Sequence, residues 1–151
     1  MTIFVSKLMI NSLKSDYMIK KLKIASDLES LRIVEKAVDE ITASAKISQT
    51  CYGKILVAIL EAVNNAIAHG NKFSSDKFVD ISLKCAGDKL TIIVKDEGPG
   101  FSPKNVPDPT LPENIERVNG RGVFLMTKLA DEIKFNKKGN STTLIFNNIA
   151  S

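Results

Sequence analysis

Apolar and polar positions follow two rhythms along this chain. Between Ile55 and Asn71, the stretch ILVAILEAVNNAIAHGN sets Ile55, Leu56, Ile59, Leu60, Ala62, Val63, Ala66 and Ile67 on one broad face when wound at about 100° per residue. Glu61, Asn64, Asn65 and, more loosely, His69 project from the opposite face. A second helical rhythm starts after Asp27, a natural cap, and brings Leu28, Leu31, Val34, Ala37, Val38 and Ile41 onto one stripe. Ser48 is placed to cap the central helix and Gly70-Asn71 to close it. Alternation marks strands instead in IKKLKIAS after Met18, Phe78–Cys85 and Lys89–Lys95, and Asp131–Asn136 with Thr142–Asn147 reads as a closing strand pair. Ala86-Gly87-Asp88 reads as a hairpin connection, and Lys137–Asn140 as the turn of a closing strand pair.

The order strand, helix, helix, strand, strand, helix, strand, strand predicts an α+β protein. Its expected form is a two-layer α/β sandwich, a mixed and mostly antiparallel sheet with helices on one face. Residues 1–17 fall outside the pattern and are expected to be an N-terminal extension, with residues 18–151 as the folded domain; Met18 is a candidate alternative start. Pro103, Pro107, Pro109 and Pro112 make residues 102–112 an irregular loop, and a loop that long in a small domain is more often functional than idle. Glu113–Arg117 is a candidate helical turn, and Gly120-Arg121-Gly122 is expected to open a helix over Val123–Ala130.

Composition narrows the classes. At 151 residues, 44% hydrophobic and 25% charged, the chain suits one globular domain with its own core. The longest apolar run, near Ile55–Val63, is short for a bilayer span, and the first residues lack the parts of a signal peptide. A cytoplasmic location without membrane contact is therefore expected. Cys51 and Cys85 lack metal-ligand spacing and read as reduced, buried, small hydrophobes. The net charge of +4 is spread among lysines, and with no Trp and two Tyr the chain lacks the dense basic, aromatic stripe of a nucleic-acid binder. The excess suits an anionic small ligand or an acidic protein partner.

Three separated segments carry candidate chemistry. Glu61 and Asn65 are four apart, neighbours on a helix surface, and offer a base and a metal-ligand oxygen to one small volume. Taken alone they read equally as a solvated polar stripe. Asp96-Glu97-Gly98-Pro99-Gly100 follows a strand at once. A carboxylate fixed there accepts from an exocyclic amine, while the glycines admit close backbone approach to a flat ring. Alone, this stretch is an ordinary turn. Glycines in Gly120-Arg121-Gly122 at a helix start expose N–H groups to an anion, favoured by the helix dipole. Alone, that signal is weak as well.

In combination, EAVNNAIAHGN, VKDEGPGF and NGRGVFLMTKLADEIKF resemble the histidine-kinase-like ATPase superfamily of gyrase, the ninety-kilodalton heat-shock chaperone and sensor histidine kinases. Within it, the chain looks most like the anti-sigma-factor serine kinases of partner-switching pathways. The resemblance spans about Met18 to Phe146 and implies the histidine-kinase-like ATPase fold, with ATP and Mg²⁺ bound beneath a lid formed by residues 102–119. It implies that Glu61 is the general base for an attacking serine hydroxyl and Asn65 a Mg²⁺ ligand. Asp96 would accept from the adenine amino group, with Gly98 and Gly100 beside the ring. Gly120, Gly122 and the N–H groups of Val123 and Phe124 would cradle phosphates, with Arg121 adding charge. Thr142 would support the adenine side, although Ser141 stands where the family usually shows glycine. His69 fits a structural hydrogen-bonder, and Phe101, Phe124 and Leu125 fit core or pocket wall. The implied partners are an antagonist (anti-anti-sigma) protein as substrate and a sigma factor or similar regulator. A homodimer is also expected, with the helix Asp27–Ile41 as candidate surface. The alternative is a non-catalytic nucleotide-binding regulatory module that sequesters a protein.

Overall fold

Strand alternation and helical periodicity leave two apolar surfaces, and the fold lays one on the other. A computed structural model describes residues 7–11, 17–100 and 118–150. In chain order these form β1 (Lys7–Asn11), β2 (Tyr17–Ala25), a short 3-10 turn (Leu28–Ser30), α1 (Leu31–Ala45), α2 (Gln49–Asn65) and a π turn (Ala66–Gly70). Then come β3 (Phe78–Ala86), β4 (Lys89–Lys95), α3 (Val118–Leu129), β5 (Glu132–Phe135) and β6 (Ser141–Asn147). The strands form one sheet in the order β1-β2-β3-β4-β6-β5. Every pairing among the described strands is antiparallel, so the mostly antiparallel sheet expected contains no parallel pair there.

Register puts the core on one side. Residues directly opposite on neighbouring strands share a face, and Ile24↔Val79, Ile81↔Val94, Leu83↔Ile92 and Ile92↔Leu144 are such pairs. All of them are buried, as are Val34, Ala37, Val38 and Ile41 of α1 and Ile55, Ala58, Ile59, Ala62 and Val63 of α2. Each fully buried Val, Leu or Ile side chain contributes about 1.5–3 kcal/mol, so this layer fixes where the helices sit. By length and composition Gln49–Gly70 would reach across a bilayer, but its apolar face is the centre of this core.

Local signals set the element ends. Ser48 Oγ accepts from Cys51 N–H at 3.2 Å and starts α2. Asp27 Oδ1 accepts from Ser30 N–H at 2.9 Å, but the turn it caps is 3-10 in form, and the α-helix proper runs from Leu31 past the expected Ile41 to Ala45. The β3–β4 hairpin closes on Gly87-Asp88, with Gly87 at φ 59°. Cys85 is buried and Cys51 half-buried, both as free thiols.

Residues 7–11, inside the segment expected to be an extension, add an edge strand: β1 pairs with β2 from Lys7↔Lys21 to Asn11↔Tyr17. The contiguous Leu8-Met9-Ile10 hides the period of two that would have marked it. The proline-rich loop 102–112, the turn Glu113–Arg117 and Phe101 lie outside the described residues, and so does most of the expected lid.

Candidate active site

The buried face of α2 leaves Glu61 and Asn65 half-buried on its flank, and α3 brings Gly122 against them. A Cβ on Gly122 would lie 3.0 Å from Asn65 Nδ2, 3.2 Å from Glu61 Oε2 and 3.4 Å from Asn65 Oδ1. Bare backbone therefore faces the carboxylate and the carboxamide together. The first and third sequence segments meet at this point.

The helix that carries Gly122 begins at Val118 rather than Val123. Gly120, Arg121, Gly122, Val123 and Phe124 thus lie within α3 instead of ahead of it. Only the first four N–H groups of a helix lack an internal partner. The amides of Val123 and Phe124, expected to face phosphates, are at the sixth and seventh positions of the helix described from Val118, past those four. Val123, Phe124 and Leu125 are half-buried, and Lys128 Nζ lies 5.5 Å over the Phe124 ring.

A second cluster forms where β4 ends. Asp96 Oδ1 accepts from Gly98 N–H at 2.8 Å. Asp96 N–H donates to the Asn140 carbonyl at 2.9 Å, and Asn140 Nδ2 donates back to the Asp96 carbonyl at 3.1 Å. Glycines let three chain segments touch here without side chains between them. A Cβ on Gly70 would run into the Asp96 carboxylate, one on Gly98 into the Gly70 carbonyl, and one on Gly100 into the Lys138 carbonyl. Gly100 also holds φ 79°, a region that favours glycine. Burial pushes the Asp96 carboxyl above the usual carboxylate range, against the opposing pull of the Gly98 N–H and the charges of Lys138 and Lys77. Thr142 stands opposite Val94 and is half-buried, so it shares the helix-facing side of the sheet two residues short of Asp96.

One helical segment links the clusters. Glu61 and Asn65 belong to α2, which widens into the π turn that ends at Gly70, beneath Asp96; Asn71 N–H closes that turn on the Ala66 carbonyl at 2.8 Å. From Glu61 to Gly70 the rise is about 13 Å at helical spacing, a reach suited to a purine, a sugar and a chain of phosphates. Such π turns recur at functional sites. His69 lies on this turn and is exposed.

Several residues of the site carry no motif. Glu97 N–H donates to Asn71 Oδ1 at 2.7 Å, and Glu97 Oε2 accepts from Phe78 N–H at 2.6 Å. Asn136 Oδ1 accepts from the N–H groups of Gly139, Asn140 and Ser141, which fixes the β5–β6 turn under Gly100. Ser141, the departure from the resembled pattern, joins that turn through its backbone. Asn71 reads in sequence only as a helix end; its buried amide was the missed signal.

The donor set fits Mg²⁺ with a nucleotide. Mg²⁺ prefers oxygen ligands, keeps several waters and usually takes one or two protein ligands beside substrate phosphates. Asn65 Oδ1, beside Glu61 and a bare glycine, offers such a ligand. Among the described residues no group of three or more His, Cys, Asp or Glu side chains converges on a common point.

A two-layer sandwich with this helix, strand-end turn and glycine-bearing second helix matches one family. Residues 24–146 match the histidine kinase-like ATPase domain, and the chain belongs to that family. Among curated relatives, it is similar to the serine-protein kinase RsbW of Staphylococcus epidermidis, 25% identical over 129 residues and 81% of each chain. It is also similar to RsbW of Oceanobacillus iheyensis, 23% identical over 130 residues and 82% of each chain. RsbW of Listeria monocytogenes is 24% identical over 119 residues, covering 75% of this chain and 76% of that one.

Proposed function

We propose that this protein is an ATP-dependent serine/threonine protein kinase of the anti-sigma, partner-switching kind, acting in the cytoplasm. Its substrate is a small antagonist protein, and its second partner a sigma factor or similar regulator. Family membership and relatives named as serine-protein kinases support this reading. The observation that carries it is the meeting of Glu61 and Asn65 with Gly122. A pure nucleotide binder has no need of a carboxylate at that place.

Bound Mg²⁺-ATP would supply the γ-phosphoryl group, with its oxygens neutralised by the ion. Asn65 Oδ1 would hold the ion, and the N–H groups at the start of α3, with Arg121, would face the phosphates. Asp96 accepts from the adenine amino group, with Gly98, Gly100 and Thr142 around the ring. Glu61 takes the proton of the attacking serine hydroxyl and must be ionised and within hydrogen-bond reach. Phosphoryl transfer otherwise asks mainly for alignment and charge neutralisation.

Labelled ATP and an antagonist protein test this. Glu61→Gln should bind ATP as the wild type does, while transfer falls by about 10²–10⁴-fold. Full transfer by that variant removes Glu61 from the base role. No transfer by the wild type to any such antagonist favours the non-catalytic regulator.

A further inference from the structure

Asp96 is the residue expected to read the base, and what aims it comes from two distant asparagines. The peptide that joins Asp96 to Glu97 is pinned at both ends. Its N–H donates to Asn71 Oδ1 at 2.7 Å, from a residue 26 positions earlier. Its carbonyl accepts from Asn140 Nδ2 at 3.1 Å, from a residue 44 positions later. The Asp96 N–H is held as well, by the Asn140 carbonyl at 2.9 Å.

Both asparagines are almost sealed from solvent, at 1% and 6% exposure, and both are held in place. Asn71 Nδ2 donates to Ser26 Oγ at 2.9 Å and to the Phe78 carbonyl at 3.0 Å. Asn140 Oδ1 accepts from Asn136 Nδ2 at 2.8 Å, and its N–H donates to Asn136 Oδ1 at 3.0 Å. Closing a helix asks nothing of a buried side-chain amide that reaches into a loop 26 residues away. Asn71 uses both donors and its acceptor, and Asn140 a donor and its acceptor; in a dry setting such bonds fix direction, because each loses strength steeply when misaligned. With the backbone N–H, carbonyl and following N–H of Asp96 all held, its carboxylate has one aim. Asn71 also follows Gly70 directly, so the same clamp ties Asp96 to the helix that carries Glu61 and Asn65.

We propose that Asn71 and Asn140 are positioning residues that clamp the Asp96–Glu97 peptide and so set the selectivity of the site for a purine bearing an amino group. The proposal rests on the reading of Asp96 as the adenine acceptor. Neither asparagine touches the nucleotide.

The test is calorimetric titration of the full chain, in Mg²⁺, with ATP and with inosine triphosphate, which carries a carbonyl where adenine has its amino group. A hydrogen bond to a charged group corresponds to a preference of about 10- to 150-fold, so the wild type should favour ATP within that range. Asn71→Leu and Asn140→Leu should bring ATP down to the affinity of inosine triphosphate, leaving the latter within about twofold. Asn71→Asp keeps an oxygen facing the Glu97 N–H and should retain most of the preference. If Asn71→Leu fails to fold, Asn71→Ser, too short to reach that N–H, carries the same expectation. A preference unchanged in Asn71→Ser, or both nucleotides weakening in step, overturns the clamp and leaves the adenine reading intact. A wild type without preference for ATP over inosine triphosphate overturns the adenine reading itself.

Discussion

Glu61 and Asn65 stand on a helix flank with a bare glycine opposite them, whereas Asp96 rests on backbone held from three directions. At the first end the chemistry sits on half-buried side chains that lie against the bare backbone of Gly122. At the second, Gly70, Gly98 and the turn before Ser141 close around one carboxylate, and buried asparagines fix its peptide. The difference matches the two tasks of the proposed kinase. A transfer centre must admit an acceptor hydroxyl and hand over a proton, so its groups need reach. A recognition centre gains by being fixed before the ligand arrives, because the ordering cost is then not charged against binding.

The largest expected effect comes from crowding the Glu61–Asn65 end. Gly122→Val puts a branched side chain between the Glu61 carboxylate and the Asn65 carboxamide. Misplacement of catalytic groups by about 1 Å costs about 10²-fold, so transfer should fall at least that far. The ratio of ATP to inosine triphosphate affinities should hold, since Asp96 is untouched. A ratio that collapses together with the rate would mean the two ends are not built separately.

Asp96→Asn probes the fixed end and should move binding and stability in opposite directions. ATP affinity should fall about 10- to 100-fold, the scale of one hydrogen bond to a charged group. Stability without nucleotide should rise, because burial disfavours the ionised carboxylate. The sign follows from linkage: a carboxyl raised in the folded state contributes its full stability below the unfolded value of about 3.9 and loses it as pH rises through the folded value. Melting temperatures of variant and wild type should therefore separate as pH climbs from about 4 through the raised Asp96 value, with the variant higher. Identical curves would show that burial does not strain Asp96.

The smallest effect lies away from both ends. Gly53 is an exposed glycine inside α2, and a Cβ there meets nothing within 4 Å. Gly53→Ala should stabilise the protein by about 0.5–1 kcal/mol, read as a rise of about 1–4 °C in melting temperature. Nucleotide affinity and transfer should not change. A loss of either would place Gly53 in a surface the protein uses.

The first end was easier to read in the sequence than the second. Glu61 and Asn65 interrupt an aliphatic helix with an acid and an amide four apart, which singles them out only together with Asp-x-Gly-x-Gly after an alternating strand and the glycines of α3. The sheet was readable for the same reason, with β3 and β4 alternating cleanly. Asn71 and Asn140 were not readable, since a contact 26 or 44 residues long leaves no local period. The start of α3 was misplaced because glycine was taken as a helix opener, whereas Gly120 and Gly122 lie inside its first turns. β1 is not marked in the sequence because three successive apolar residues, Leu8-Met9-Ile10, hide the period of two.

A single titration followed by amide NMR tests whether the two ends form one pocket. The full chain would be titrated in Mg²⁺ with a non-hydrolysable ATP analogue. The amides of Asn65 and Gly122 should shift along with those of Glu97, Gly98 and Gly100, all fitting one dissociation constant. Shifts confined to one set, or two sets that saturate at different concentrations, would contradict a shared nucleotide site and with it the kinase reading.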